Sequence, residues 1–233
     1  MSDHGSERRR IQRVSSAYDS SPYYQKIWRS DSPAFRLMSE RKWHLIESVL
    51  RSERLDCRSA RILDIGVGIG ADGPRFRDLA VRPDLFVGLD VMDEYARKAR
   101  QANDWMNTVT GEAGRLPFPD HVFDIVYQST MLSSVLDARQ RQLVFREVER
   151  VLAPGGAFIS YDVRYRNPWN PHTRPLKSRE VRLSFPRWEV KTWSLTAIPQ
   201  LQRFVAAHSV TACRLLEAIP FLRSHLVIVA RKP

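Results

Sequence analysis

Three acidic residues stand at or beside the ends of three short apolar or β-prone runs. They are Asp64 in Arg61-Ile62-Leu63-Asp64-Ile65, Asp90 closing Leu85-Phe86-Val87-Gly88-Leu89, and Glu112 in Gly111-Glu112-Ala113, which follows Asn107–Thr110. Between the first two lies Gly66-Val67-Gly68-Ile69-Gly70-Ala71. Gly66, Gly68 and Gly70 lack the Cβ that would oppose positive φ or a close ligand. A helix that starts after such a turn aims its free N–H groups at the same place. The spacing Gly66-x-Gly68-x-x-Ala71 also satisfies the dinucleotide fingerprint. A carboxylate at Asp64, however, would stand beside phosphates of its own sign and suits a cationic ligand instead.

These residues need a parallel sheet to bring strand ends together, and the periodicity of the chain provides one. Ile62–Ile65 reads as a strand buried on both faces, followed by a helix over 71–80, a strand over 85–89, a helix over 94–102 and a strand over 107–110. Phe123–Tyr127 reads as a fourth strand that delivers Gln128 and Ser129 to the site. A helix over 138–152 stops at Pro154-Gly155-Gly156, and Ala157–Asp162 is a fifth strand. The alternating region 188–195, helices over 198–208 and 210–219, and a strand over 224–230 complete the pattern. Ahead of the glycine turn, Asp31-Ser32-Pro33 starts a helix to about Leu55. Its residues Phe35, Met38, Leu45, Ile46 and Val49 make one buried face.

Composition narrows the function classes. The 233 residues, 43% of them hydrophobic, suit one α/β domain with appendages. Cys57 and Cys213 offer neither a disulfide framework nor a zinc cluster, which favours a reducing cytoplasm. Arg8-Arg9-Arg10 is not followed by an apolar stretch, so no signal peptide or membrane span is expected. The net charge of +11 would suit nucleic acid. The basic residues are nevertheless scattered and interleaved with acids, as in Arg146-Glu147-Val148-Glu149-Arg150, which describes a solvated surface.

The glycine turn after Asp64, the acid Asp90, Gly111-Glu112-Ala113 before Leu116-Pro117-Phe118-Pro119, and Leu152-Ala153-Pro154-Gly155-Gly156 occur in an order that resembles the class I S-adenosylmethionine-dependent methyltransferases, in their small-molecule branch. The matched segments run from about 61 to 162. The resemblance implies an α/β fold: a Rossmann-like three-layer sandwich around a mostly parallel seven-stranded sheet with an antiparallel last strand. It implies S-adenosyl-L-methionine as cofactor. Asp64, Gly66, Gly68 and Gly70 would hold its amino or sulfonium end, Asp90 its ribose, and Glu112 and Ala113 its adenine. Val91 and Met92 would line the adenosine pocket, with Gln128 and Ser129 at the adjoining strand end. Val67 stands where the family more often has a small residue, which implies a slightly displaced turn. Motifs for methylating nucleobase nitrogens or pyrimidine carbons are absent, so no specific nucleic acid is expected.

Residues 1–10 read as a disordered basic tail, 11–56 as a helical lid, and 57–233 as the cofactor-binding domain. Tyr18, Tyr23 and Tyr24 are lid candidates over the substrate. The segment 163–187, aromatic and proline-broken, is the expected substrate-recognition insertion, with Arg164, Tyr165 and Trp169 as contacts. Arg174, Lys177 and Arg179 suit a phosphorylated sugar or lipid-linked glycan. A hydroxyl nucleophile gains from a general base, for which Asp162, His121 and His172 are the candidates. His208 and His225 read as structural. The primary expectation is O-methylation of a small polar acceptor, a sugar or secondary metabolite. Its alternatives are N-methylation of a small molecule, or a basic nucleic-acid-binding protein with a vestigial pocket.

Overall fold

The chain pairs into one seven-stranded sheet because its central apolar runs are buried on both faces and must hydrogen-bond a neighbour on each side, while two less buried strands close the edges. In this computed structural model, which describes residues 4–20, 33–166, 170–206 and 210–233, the strand order is β3-β2-β1-β4-β5-β7-β6. The strands are β1 (Ile62–Ile65), β2 (Phe86–Asp90), β3 (Asn107–Thr110), β4 (Phe123–Ser129), β5 (Leu152–Val163), β6 (Glu189–Ala197) and β7 (Arg223–Arg231). The first five are parallel, and β7 runs antiparallel to both β5 and β6. This is the Rossmann-like sandwich with an antiparallel end. The order reverses between β1 and β4, the crevice where open α/β sheets bind ligands.

The helices are α1 (His4–Ser20), α2 (Pro33–Ser52), α3 (Gly73–Asp78), α4 (Asp93–Ala102), α5 (Ala138–Val151), α6 (Ser178–Ser184), α7 (Pro199–Ala206) and α8 (Val210–Ala218). Alternate strand residues face two layers. Ile62, Tyr127, Ile159 and Val229 pack with Trp43, Ile46 and Phe76 on one side. Leu63, Val126, Phe158 and Ile228 pack with Val144, Phe145, Val181 and Phe185 on the other. Phe76 meets Trp43, Tyr127 and Phe86 with ring centroids 5.0, 5.2 and 5.0 Å apart, anchoring α3 and α2 to the sheet.

Three segments differ from the sequence expectation. Residues 4–10 continue the helix of α1 rather than forming a disordered tail, since Arg, Glu and Ser are compatible with a helix despite their polarity. Strand β5 starts at Leu152, directly after α5, instead of at Ala157. Leu152 pairs with Phe123, and the Gly155 and Gly156 backbone is bonded to Lys232 at 3.2 and 2.9 Å. The segment 163–187 contains α6 and is less of a loop than its prolines and aromatics suggest. Its Leu176, Val181 and Phe185 are fully buried and close the second core.

The strap between β5 and α6 is held by one buried guanidinium. Arg141 on α5 is fully buried and donates to the carbonyls of Leu132, Val135 and Pro175 at 3.1, 3.0 and 3.3 Å, to that of Arg174, and to Glu180 at 3.0 Å. Removing one partner of a buried, fully bonded ion pair leaves the other charge uncompensated. Arg141→Ala should therefore lower stability by about 3–5 kcal/mol. Urea unfolding checks this, with Arg182→Ala as a surface control expected within about 0.5 kcal/mol of the wild type.

Candidate active site

Where the strand order reverses, the carboxyl ends of β1, β2, β4 and β5 open into a cavity of about 470 Å³. Helices α1 and α2 wall it with Ile11, Ser15, Phe35, Met38, Ser39 and Lys42. Asp64, Gly66, Gly68, Asp90, Val91, Met92, Glu112, Ala113 and Ser129 also line it. The structure thus gathers nine of the eleven residues expected to hold the cofactor.

The turn after β1 is built by backbone demand. The N–H groups of Gly66 and Val67 donate to Leu89 O at 2.7 and 3.0 Å, which turns the chain back over β2. A Cβ at Gly66, whose φ is +77°, would fall 2.5 Å from Cγ of Met131. At Gly68, φ is +55° and a Cβ would meet nothing within 4 Å, because that side of the turn is the open cavity. Val67 is accommodated because it packs over Gly88, where any Cβ would lie 2.9 Å from the valine. Gly70 is buried away from the cavity. Its carbonyl accepts from Asn103 Nδ2 at 2.9 Å, so this glycine permits close packing against α4.

Asp90 ties the turn to β2. Its two carboxylate oxygens accept from the N–H groups of Gly68 and Met92, each at 2.9 Å. Burial raises its pKa, and those backbone donors partly offset the rise. Asp64 is more strongly affected. Burial first, then the neighbouring Asp72, push its carboxyl well above the ordinary range; Lys42 partly offsets this, and Asp90 adds to it.

Asp72, not anticipated from the sequence, is the polar centre of the wall. It accepts from Lys42 Nζ at 2.6 and 2.7 Å, Trp43 Nε1 at 3.0 Å and Tyr127 OH at 2.8 Å. Burial pushes its carboxyl up, but these donors win and its pKa ends below the usual value. Lys42 also reaches Ser129 Oγ at 3.3 Å and lies 5.2 Å from the centre of the Tyr161 ring. Tyr161 stacks on His225 with centroids 4.9 Å apart, and both line the cavity. The only sequence signal for Lys42 was its place one residue before Trp43 on the buried side of α2, where it interrupts the apolar pattern.

The other candidates are placed elsewhere. Gln128 is buried behind the cavity, where its Oε1 accepts from Met131 N at 2.8 Å and Leu132 N at 3.3 Å and its Nε2 donates to Ser160 and Asp162. It shapes the turn after β4. Asp162 is filled by Gln128, Ser133 N and Val163 N at 3.1, 3.1 and 2.7 Å, which makes it a loop anchor rather than a base facing the cavity. His121 lies before the amino end of β4, at the opposite end of the sheet, with Nδ1 2.9 Å from Leu152 O. His172 is exposed in a turn closed on Asn170. Arg164 donates to Pro220 O at 3.2 Å and covers the exposed Tyr165 ring, and neither lines the cavity. Arg174 and Lys177 are engaged with the carbonyls of Leu136 and Arg164 at 3.2 and 2.8 Å. Tyr23, Tyr24 and Trp169 lie outside the described residues, as does the side chain of Tyr18.

Fold and site together define a nucleotide-type cofactor crevice whose acids demand positive charge. Residues 63–160 match the model of the family described as "Methyltransferase domain". The chain is 34% identical over 115 residues to a fatty-acid O-methyltransferase of Mycolicibacterium smegmatis, covering 48% of this chain and 40% of that protein. It is 29% identical over 107 residues to a sterol 24-C-methyltransferase of Pneumocystis carinii, covering 43% and 27%. The matches thus span less than half the length of either relative. Among solved structures, a SAM-dependent methyltransferase from Archaeoglobus fulgidus superposes with a TM-score of 0.59 at 16% identity, over 82% of this chain and 94% of that one. Residues 63–160 thus match a methyltransferase domain, and the chain has the fold of the S-adenosylmethionine-dependent methyltransferases, whose cofactor is S-adenosylmethionine.

The cavity fits that cofactor. Asp64, enclosed among Asp72 and Asp90, is short of positive charge, which a sulfonium and an ammonium group supply. Asp90→Ala, which frees the N–H groups of Gly68 and Met92, should weaken S-adenosylmethionine binding about tenfold or more, ~1.4 kcal/mol, as read by isothermal titration. A cation beside Asp64 also favours its carboxylate form. Binding should therefore release protons, and affinity should rise with pH from the ordinary carboxylate range up through the raised pKa of Asp64. Titrations in buffers of different ionisation enthalpy count the protons. S-adenosylhomocysteine, neutral at sulfur, should show the smaller dependence.

Proposed function

We propose that the protein transfers a methyl group from S-adenosylmethionine to an oxygen of a small acceptor with an apolar body, a hydroxyl or carboxyl of a secondary metabolite or lipid. The observation that carries this reading is the wall opposite the acids. There α1 and α2 contribute Ile11, Phe35 and Met38, and the polar groups Lys42, Ser129, Tyr161 and His225 gather at the carboxyl ends of β4 and β5 and on β7. A largely apolar pocket with a few convergent polar groups selects an apolar molecule by its bulk and orients it by its polar head. The fatty-acid and sterol enzymes among the relatives support the same class of acceptor. A phosphorylated sugar has less to bind here, since Arg174 and Lys177 are engaged outside the cavity.

Bound S-adenosylmethionine supplies a methyl group on a positively charged sulfur, open to in-line displacement. What this chain contributes is position and dryness. Asp90 and the glycine turn hold one partner, while α1 and α2 close over the other. Arg10 of α1 donates to the carbonyl of Ser134, which ties that helix across the mouth of the site. We assign residues 11–56 the role of a cap on this basis, with Ile11 and Ser15 as its cavity-facing residues.

Incubation with labelled S-adenosylmethionine and a panel of a long-chain fatty acid, a long-chain alcohol, a sterol and a phosphorylated sugar tests the reading. Label should appear on an oxygen of the apolar acceptors. Label confined to the sugar, to a carbon or to a nitrogen would overturn it. A truncated chain lacking residues 1–20 should retain cofactor binding and lose most of the turnover.

A further inference from the structure

The polar end of the cavity offers four side chains to an acceptor, Lys42, Ser129, Tyr161 and His225. Three of them present donors or filled hydroxyls. Lys42 is held on the Asp72 carboxylate, Ser129 Oγ lies 3.3 Å from that ammonium, and Tyr161 OH is 3.0 Å from Thr196 Oγ1, with burial raising its pKa. His225 differs, and the reason lies one strand away.

Thr196 on β6, opposite Ser224 on β7, has φ of +61°, a costly conformation for a β-branched residue. In this conformation its carbonyl accepts from Ser224 Oγ at 3.1 Å while its own hydroxyl meets Tyr161. A serine hydroxyl has one hydrogen, and a carbonyl can only accept. The Ser224 proton is therefore committed to Thr196. The contact of 2.9 Å between Ser224 Oγ and His225 Nδ1 must then be made by an Nδ1–H. In a neutral imidazole this leaves Nε2, on the far edge of the ring, with a lone pair.

Burial, then the charge of Lys42, lower the His225 pKa to about 4, so the ring is neutral at pH 7. The groups around it are Lys42 from α2, Tyr161 stacked from β5, and Thr196 from β6. Asp162 on β5 spends its oxygens on Gln128, Ser133 and Val163.

We propose that His225 is the catalytic base of the transfer, its Nε2 taking the proton of an acceptor O–H. This rests on the oxygen-acceptor reading above. As the oxygen lone pair forms the bond to the methyl carbon, the carbon–sulfur electrons return to sulfur, the O–H electrons return to oxygen, and the proton passes to Nε2. A weak base suffices, because the proton on an oxygen that is acquiring a third bond is far more acidic than an imidazolium. The strained Thr196 and the Ser224 hydroxyl are positioning groups that set the tautomer.

Two measurements on the full chain test this. Long-range nitrogen–proton spectra of protein labelled in histidine, with the His225 signal identified by its loss in His225→Asn, should show the Nδ1–H tautomer at pH 7. An Nε2–H tautomer or a doubly protonated ring overturns the proposal. With 1-dodecanol and labelled S-adenosylmethionine, His225→Asn should lower kcat about 100-fold or more, leaving the cofactor Kd unchanged. The asparagine amide can still donate to Ser224. Ser224→Ala should shift the tautomer toward Nε2–H and lower kcat in parallel. Dodecanol turnover by His225→Asn at the wild-type rate overturns the base assignment alone. A wild-type protein that binds the cofactor yet labels neither dodecanol nor a fatty acid overturns the oxygen-acceptor reading and, with it, the base.

Discussion

The half-buried carboxylate of Asp72 is the interaction on which the site depends. It sits where the first glycine turn leads into α3, and it draws in Lys42 and Trp43 from α2 and Tyr127 from β4. A charge taken out of water on this scale is tolerated only if paired and hydrogen-bonded. Four donor contacts from three side chains meet that demand. Satisfying them fixes α2 against the switch point of the sheet, so the wall that shapes the acceptor side of the cavity is set by an electrostatic requirement as much as by apolar packing. The same carboxylate helps leave Asp64 short of positive charge, which prepares the cavity for a cation.

Around that centre the protein separates two tasks. The carboxyl ends of β1 and β2 with the loop after β3 carry the acids expected to hold the cofactor, Asp90 itself being fixed by the N–H groups of Gly68 and Met92. The ends of β4 and β5, with β7, line the other side of the cavity with Ser129, Tyr161 and His225, the side proposed for the acceptor. The antiparallel β6 and β7 therefore do more than extend the sheet. They bring Thr196 and Ser224 to His225, which among the described residues is the histidine lining the cavity. The region after β5, expected from its aromatics and cations to recognise substrate, also seals the second core through Leu176, Val181 and Phe185.

Much of this was legible in the chain. Parallel strands buried on both faces leave apolar runs, and turns that need positive φ leave glycines, so β1 to β4 and the turn at Gly66 and Gly68 could be placed within a residue or two. Asp64, Asp90 and Glu112 could be read because each stands at or beside the carboxyl end of a strand. The boundary between α5 and β5 was misplaced because Gly155 and Gly156 resemble a helix stop, and only pairing with Lys232 shows them to be strand. Helix α6 was missed because seven residues are too few for periodicity to register against the neighbouring prolines.

The sequence by itself determined the cofactor half of this protein, because that half is made from contiguous motifs whose chemistry is local: a glycine turn, and an acid at the end of a strand. Tertiary structure alone decided the acceptor half. Lys42, Asp72, Tyr161 and His225 come from four distant segments, and of these Lys42 alone carries a local signal, its interruption of the apolar face of α2. Histidines that looked available, His121 and His172, fell outside the cavity, while His225, read as structural, entered it. A side chain's burial, its tautomer and the charges around it are properties of its neighbours in space, which a one-dimensional pattern records only when those neighbours are also close in the chain.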